Sequence, residues 1–400
     1  MNPGRARAAV AAAMARAAAM AIALAMLLLA AGCAERRAPV FHETPPERLS
    51  EWGLVLAEGG RLVPNERVLP YTLNTPLFSD YAHKLRTVWM PEGRAARYRE
   101  TGDWGFPVGT VLTKTFYYPV AGPGAVYAET RERLFDGSAL RLEQVRLVET
   151  RLLVKQADGW EAYPYVWNEA QTEAMLRPVG DMLALHLVAG DGSERPFTYV
   201  VPDANQCGGC HRPDHTGKEL RPLGPKTRHL NSVGADGAAV PGGDQLAAWT
   251  EAGYLAGAPS SAGAPRLARW DDSDGADVAA RARAYLDVNC GHCHNPRGAA
   301  DTSGLFLDID TADPRRLGRC KPPIAAGRGS GNRRYSIVPG DPDASILVYR
   351  METGDPAAAM PELGRALVHE EGVELIREWI AGMRGDCRTV LAGKRDEEAL

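Results

Sequence analysis

The sequence has no surplus of charge. Its 46 Lys and Arg face 50 Asp and Glu, a formal net of −4, and the basic residues form no stripe. Phosphate binding needs clustered Lys and Arg, so no nucleic acid partner is expected. Long apolar runs are missing after residue 31, and no later segment reaches the ~20 residues of a membrane-spanning helix. Cysteine is sparse at 7 in 400 residues, so position matters more than number. Residues 50–200 show no catalytic triad, no phosphate-binding loop and no His cluster at metal-ligand spacing. What is abundant is apolar residue, 45%, together with 42 Gly and 29 Pro. That composition excludes a disordered tail, a collagen-like fibre and a coiled coil, and the length suits two or three domains with many turns.

The N-terminus carries an export pattern. Arg5, Arg7 and Arg16 precede an uncharged apolar run over residues 17–31, which is short for a span and right for a signal h-region. The run ends in Leu29-Ala30-Ala31-Gly32-Cys33, small residues ahead of a Cys, as in a bacterial lipobox. Residues 1–32 are therefore expected to be a lipoprotein signal peptide, with lipidated Cys33 as the membrane anchor. An ordinary signal peptide with an incidental Cys33 is the alternative. Ala34 is not the Asp associated with inner-membrane retention, which favours a periplasmic protein on the outer membrane.

Four of the other six cysteines fall into one repeated pattern. Cys207-Gly208-Gly209-Cys210-His211 and Cys290-Gly291-His292-Cys293-His294 are both C-x-x-C-H, the attachment signature of c-type haem. Two thiols form thioethers with the porphyrin vinyl groups, and the adjacent His ligates the iron from below. Zinc is the competing interpretation, because paired Cys with His suits a tetrahedral site. The wide separation of the pairs and the oxidising destination favour two covalently attached haem c groups. The last two, Cys320 and Cys387, form an even pair in an exported chain; a disulfide is expected, with two free thiols as the alternative.

Each iron needs a distal partner, commonly Met. For the second haem, Met360 precedes Pro361 in a loop and is the expected ligand, whereas Met351 and Met383 fall on apolar stretches that suit a core. The first haem has no Met between Cys210 and Arg350. Its own segment offers His215 and His229, with Lys218 and Lys226 more remote. The upstream region adds His83, Met90, Met175, Met182 and His186. An open iron face is the other possibility.

The organisation predicted is a multidomain α+β chain. Residues 33–49 form a tether, 50–200 a β-rich domain, 201–255 the first haem segment, 256–276 a Gly/Ala/Pro/Ser-rich linker, 277–387 the second haem domain and 388–400 a tail. Alternating β-branched and aromatic residues over 110–120 and 144–156 mark strands. The aromatic stretch 158–168 suits a sandwich core or a wall over the first haem. A short helix is expected over 244–252 and another from Val278, N-capped by Asp277. Val373, Ile376, Trp379, Ile380 and Met383 make one apolar face of a helix over 370–383.

A helix entering C-x-x-C-H, a Met loop and a final helix make residues 278–383 resemble a class I cytochrome c domain. Over residues 50–385 the chain resembles a family of bacterial dihaem c-type cytochromes. The resemblance rests on both haem motifs and on PLFSDYA at 76–82, Gly159-Trp160, GPKTRHLN at 224–231, YLDVNC at 285–290, IVPGDP at 337–342 and MPELG at 360–364. It implies covalent binding of two haems and a mostly α-helical C-terminal domain, not a named reaction; the function expected for the chain is one-electron transfer with periplasmic or membrane redox proteins. A dihaem peroxidase or other oxidoreductase with an open first haem is the enzymatic alternative.

Overall fold

Where large apolar residues alternate with Thr, Lys and Glu, the chain forms its two longest strands, β6 (Val111–Gly122) and β9 (Val145–Lys155). They pair antiparallel in the middle of a nine-stranded sheet. The computed structural model describes residues 37–128, 134–214, 217–232 and 243–388. The signal segment, Cys33, His215 and most of the tail lie outside the described residues.

On the far side of β6 lies β4 (His83–Trp89), which carries β3 (Leu69–Tyr71). β10 (Trp160–Trp167) and β11 (Ala174–Leu176) extend the sheet beyond β9. Near its end β6 shifts register twice, between Phe116 and Tyr117 against β9 and between Val120 and Gly122 against β7 (Ala125–Tyr127). Bulges bend a strand and increase its twist. Here they turn the sheet toward β12 (Asp181–Val188), parallel to β7, and its antiparallel partner β13 (Glu194–Val201).

The period-two alternation gives this sheet two different faces. One face buries Leu85, Trp89, Val111, Tyr117, Leu147, Leu152 and Tyr165 against Leu49, Trp52, Leu54 and Leu62. A three-stranded sheet of β1 (Val55–Glu58), β2 (Arg61–Pro64) and β8 (Leu140–Arg141) closes that core. Trp52 Nε1 donates to Tyr165 Oη at 2.8 Å, so the buried indole is satisfied. The other face carries two apolar clusters. Val88 and Leu112 meet Trp104, Leu230 and Trp249, while Phe116, Tyr118, Val148 and Val166 meet Leu185, Phe197 and Tyr199.

Six α-helices occur among the described residues: α1 (Ala204–His211), α2 (Thr227–Leu230), α3 (Gln245–Glu251), α4 (Val278–Asn289), α5 (Ile346–Glu352) and α6 (Glu370–Ala381). None is long and apolar enough to cross a membrane. From Pro39 onward the described residues belong to one compact unit. Residues 256–276 run along the core: Asn231 Nδ2 donates to the carbonyls of Ser261 and Ala264 at 2.9 and 2.8 Å, and Trp270 is buried. A short parallel pair, β5 (Ala96–Arg97) with β14 (Leu255–Ala256), joins the two halves of the chain.

The expected fold class needs correction. The molecule is β-rich with sparse helices, and its C-terminal part is not a mostly α-helical cytochrome c-like domain. Residues 277–387 contain only α4, α5 and α6, of 12, 7 and 12 residues. The reason lies between α4 and α5. Gly304, Gly318, Gly331 and Gly340 there hold positive φ, and Pro314, Pro322, Pro323 and Pro339 have no amide to donate. That stretch folds as turns and short 3-10 pieces. The helices themselves form where their caps and stripes predict. Asp277 accepts from the Ala280 amide at 2.7 Å, and α6 buries Val373, Ile376 and Ile380. Together with Leu286, Leu347 and Met351 they form the C-terminal core. Cys320 and Cys387 are bridged, with Cα atoms 5.2 Å apart, tying the turn-rich stretch to the segment that follows α6.

Candidate haem sites

The first motif is the body of α1. Asp203 caps this helix in a reciprocal box with Gln206, at 2.8 and 3.0 Å. Helical spacing then puts Cys207, Cys210 and His211 on one side. His211 is clamped by one residue: Arg221 donates its amide to the His211 carbonyl at 2.7 Å and accepts from Nδ1 at 2.8 Å. A carbonyl can only accept, so Nδ1 carries the proton and Nε2 is left to ligate. Burial, reinforced by Lys114, pulls the His211 pKa down to about 3 and keeps the ring neutral.

The second motif follows α4 as a tight turn. Cys293 and His294 donate amides to the Cys290 carbonyl at 3.1 and 2.9 Å. His294 is held in the same manner as His211. Its Nδ1 donates to the Leu305 carbonyl at 3.2 Å, and its own carbonyl accepts from Leu307 at 2.8 Å. Burial pushes the Cys290 and Cys293 thiols up to about 12 and about 11. Burial also raises Cys207 and Cys210, against the opposing pull of Arg151. All four motif cysteines are free thiols, in a chain whose other described pair is bridged.

The two motifs touch. Cys293 Sγ lies 3.9 Å from the Gly209 carbonyl. A Cβ on Gly209 would meet the tip of the exposed Leu363 side chain, so Leu363 too lies against the first motif. Leu363 belongs to the loop that carries Met360; the neighbouring Glu362 carboxylate adds to the burial that raises Cys293 and slightly opposes the burial that lowers His294. The Met360 loop is thus brought to both motifs, with the half-buried Met360 anchored by its amide on the Arg350 carbonyl at 2.8 Å. Met351 and Met383 are in or against the C-terminal core.

Several candidates for the first iron's distal side are engaged elsewhere or lie on the surface. His229 is buried, and its Nε2 meets Asp287 Oδ2 at 3.3 Å, tying α2 to the helix of the second motif. Met90 is fully buried in the cluster around Trp249, and Met182 and His186 are exposed on β12. Lys226 lies 3.9 Å from Asp103. Among the described residues no three His, Cys, Asp or Glu side chains converge as a metal-binding group.

One feature beside the first motif escaped the sequence. Arg86, Lys114 and Arg151 form a single rung across β4, β6 and β9, on the face between the two apolar clusters. Glu149, fully buried, accepts from Arg151 at 2.8 and 2.5 Å and from Tyr199 at 2.6 Å. Burial, with Arg86 and Arg151 adding, brings the Lys114 pKa down to about 7. The sequence shows only two cations, Lys84 and Arg86, in a strand-like run; that β4 is buried at every position is visible in the structure alone.

The residues present suit covalent haem: free Cys pairs, each followed by a neutral His whose Nδ1 is already committed. No family model, no curated protein and no solved structure matches the chain.

Proposed function

We propose that this is an exported dihaem c-type cytochrome that passes electrons one at a time. Cys207 and Cys210 hold one haem c by thioether bonds, and Cys290 and Cys293 hold the other. His211 and His294 are the proximal ligands, and Met360 is the distal ligand of the second iron. When bound, each haem supplies a one-electron iron couple whose potential depends on axial ligand, burial and nearby charge. The Arg221 and Leu305 carbonyls fix the imidazole tautomers, and the Met360 loop covers the boundary between the motifs.

The observation that carries the proposal is the 3.9 Å approach of Cys293 Sγ to the Gly209 carbonyl, which sets the two attachment points side by side as a relay requires. A lipid on Cys33 anchors the protein to the periplasmic side of the outer membrane. Its partners are periplasmic or membrane redox proteins. The acid excess favours a partner with a basic patch, so their association rate falls as salt is added. Absorption spectra and intact mass of the purified protein test the assignment: two haems per chain support it, and a colourless chain overturns it.

A dihaem peroxidase or other oxidoreductase is the alternative, and one observation favours it. His229 is committed to Asp287, and no Met occurs from 211 to 350, so among the described residues the first iron's own segment offers neither a Met nor an uncommitted His as distal ligand. EPR separates the two. Two low-spin haems without peroxide turnover mark a carrier, and one high-spin haem that reacts with peroxide marks the enzyme.

A further inference from the structure

Three cations in direct cross-strand register are an unfavourable arrangement for a sheet. Like charges opposite one another repel, and at buried Arg86 little water is left to screen them, while Lys114 and Arg151 are half-buried. Arg86 pairs with Lys114, and Lys114 with Arg151. Glu149 is engaged by Arg151 and Tyr199. Arg86 is 2% exposed, and its Nε has no hydrogen-bond partner. A structural ion network would balance its signs; this rung does not. It also has a direction, because Lys114 and Arg151 both act on the Cys210 thiol and the His211 ring.

We propose that the Arg86–Lys114–Arg151 rung is a seat for a carboxylate ligand beside the first haem. The proposal rests on the haem assignment made above. Guanidinium forks match the two oxygens of a carboxylate, and an anion there relieves the repulsion along the rung. Two sources carry that chemistry: the propionates of the first haem, or a small free carboxylate such as succinate.

The test uses the full-length holoprotein with Lys114→Met, and Lys114→Arg as the variant that keeps the charge. Haem content, measured separately by mass, reports on the haem assignment. The seat is read by resonance Raman bands of the haem propionates and by a succinate titration followed through Tm. If the propionates occupy the seat, Lys114→Met shifts their bending bands, Lys114→Arg does not, and succinate has no effect. If a free carboxylate occupies it, succinate raises the wild-type Tm saturably. Lys114→Met then weakens that response about tenfold or more, the worth of one charge-assisted hydrogen bond, and Lys114→Arg preserves it. The proposal is overturned if wild type does not respond to succinate and Lys114→Met leaves the propionate bands in place. Lys114→Gln gives the same readings should the Met variant fail to fold.

Discussion

Glu149→Leu removes the carboxylate in contact with the cation rung. The side chain is 0% exposed and accepts from Arg151 at 2.8 and 2.5 Å and from Tyr199 at 2.6 Å. Deleting one partner of a buried pair costs about 3–5 kcal/mol, because the survivor keeps its desolvation and loses its counter-charge. The Arg151 side chain is 30% exposed, so water screens part of that loss, and the expected cost is about 3 kcal/mol. Glu149→Gln keeps an acceptor for Tyr199 and loses less, about 1–2 kcal/mol. Equilibrium urea unfolding measures both: the midpoint falls while the slope stays constant. Repeating Glu149→Leu in an Arg151→Met background isolates the cause, since the guanidinium that loses its partner is absent there. The electrostatic account is refuted if Glu149→Leu lies within about 0.5 kcal/mol of wild type, or if its cost is undiminished in the Arg151→Met background.

Further outcomes follow from the same geometry. Replacing Cys320 and Cys387 by Ser opens a bridge across a sequence separation of 67 residues, and chain entropy puts the loss near ~4 kcal/mol in urea unfolding; a change under ~1 kcal/mol contradicts this. Met360→Ala abolishes the near-infrared Met–iron band and lowers the potential of the second haem. Met351→Ala leaves that band intact and instead costs about 2–4 kcal/mol of stability as a core truncation. His369, stacked on Phe78 at 4.2 Å and bonded to Tyr285 Oη at 2.9 Å, has its pKa pulled from 6.5 to about 3 by burial, with Lys84 adding. The unfolded chain therefore binds the extra proton first, and stability drops as pH falls from about 6.5 toward 3. His369→Gln flattens that limb of the unfolding curve, and an unchanged limb assigns it to other groups.

The grouping of two thiols with an imidazole was legible in the sequence because C-x-x-C-H is contiguous and its spacing alone puts them together. Strands β6 and β9 and the Asp277 cap were legible for the same reason, since alternation and capping act over a few residues. Long-range partnership was not. His229 reads as a free imidazole until α2 is folded against α4 and Asp287. The rung of Arg86, Lys114 and Arg151 exists only once strand register is known, and a shift of one residue would put the three on different rungs or faces. The helical C-terminal domain was over-read for an instructive reason. The Asp277-capped helix α4 and the amphipathic helix α6 mark the two ends of this region, and the Gly and Pro of residues 290–345 carry the real conformational message.

The central claim is that two porphyrins are joined to this chain through Cys207, Cys210, Cys290 and Cys293. Intact mass of the purified mature protein under denaturing conditions, before and after acid–acetone extraction, tests it most directly. The account predicts the mass of the processed chain plus two haem increments, with the colour staying in the protein after extraction. A mass without those increments, or pigment that passes entirely into the acetone, contradicts it.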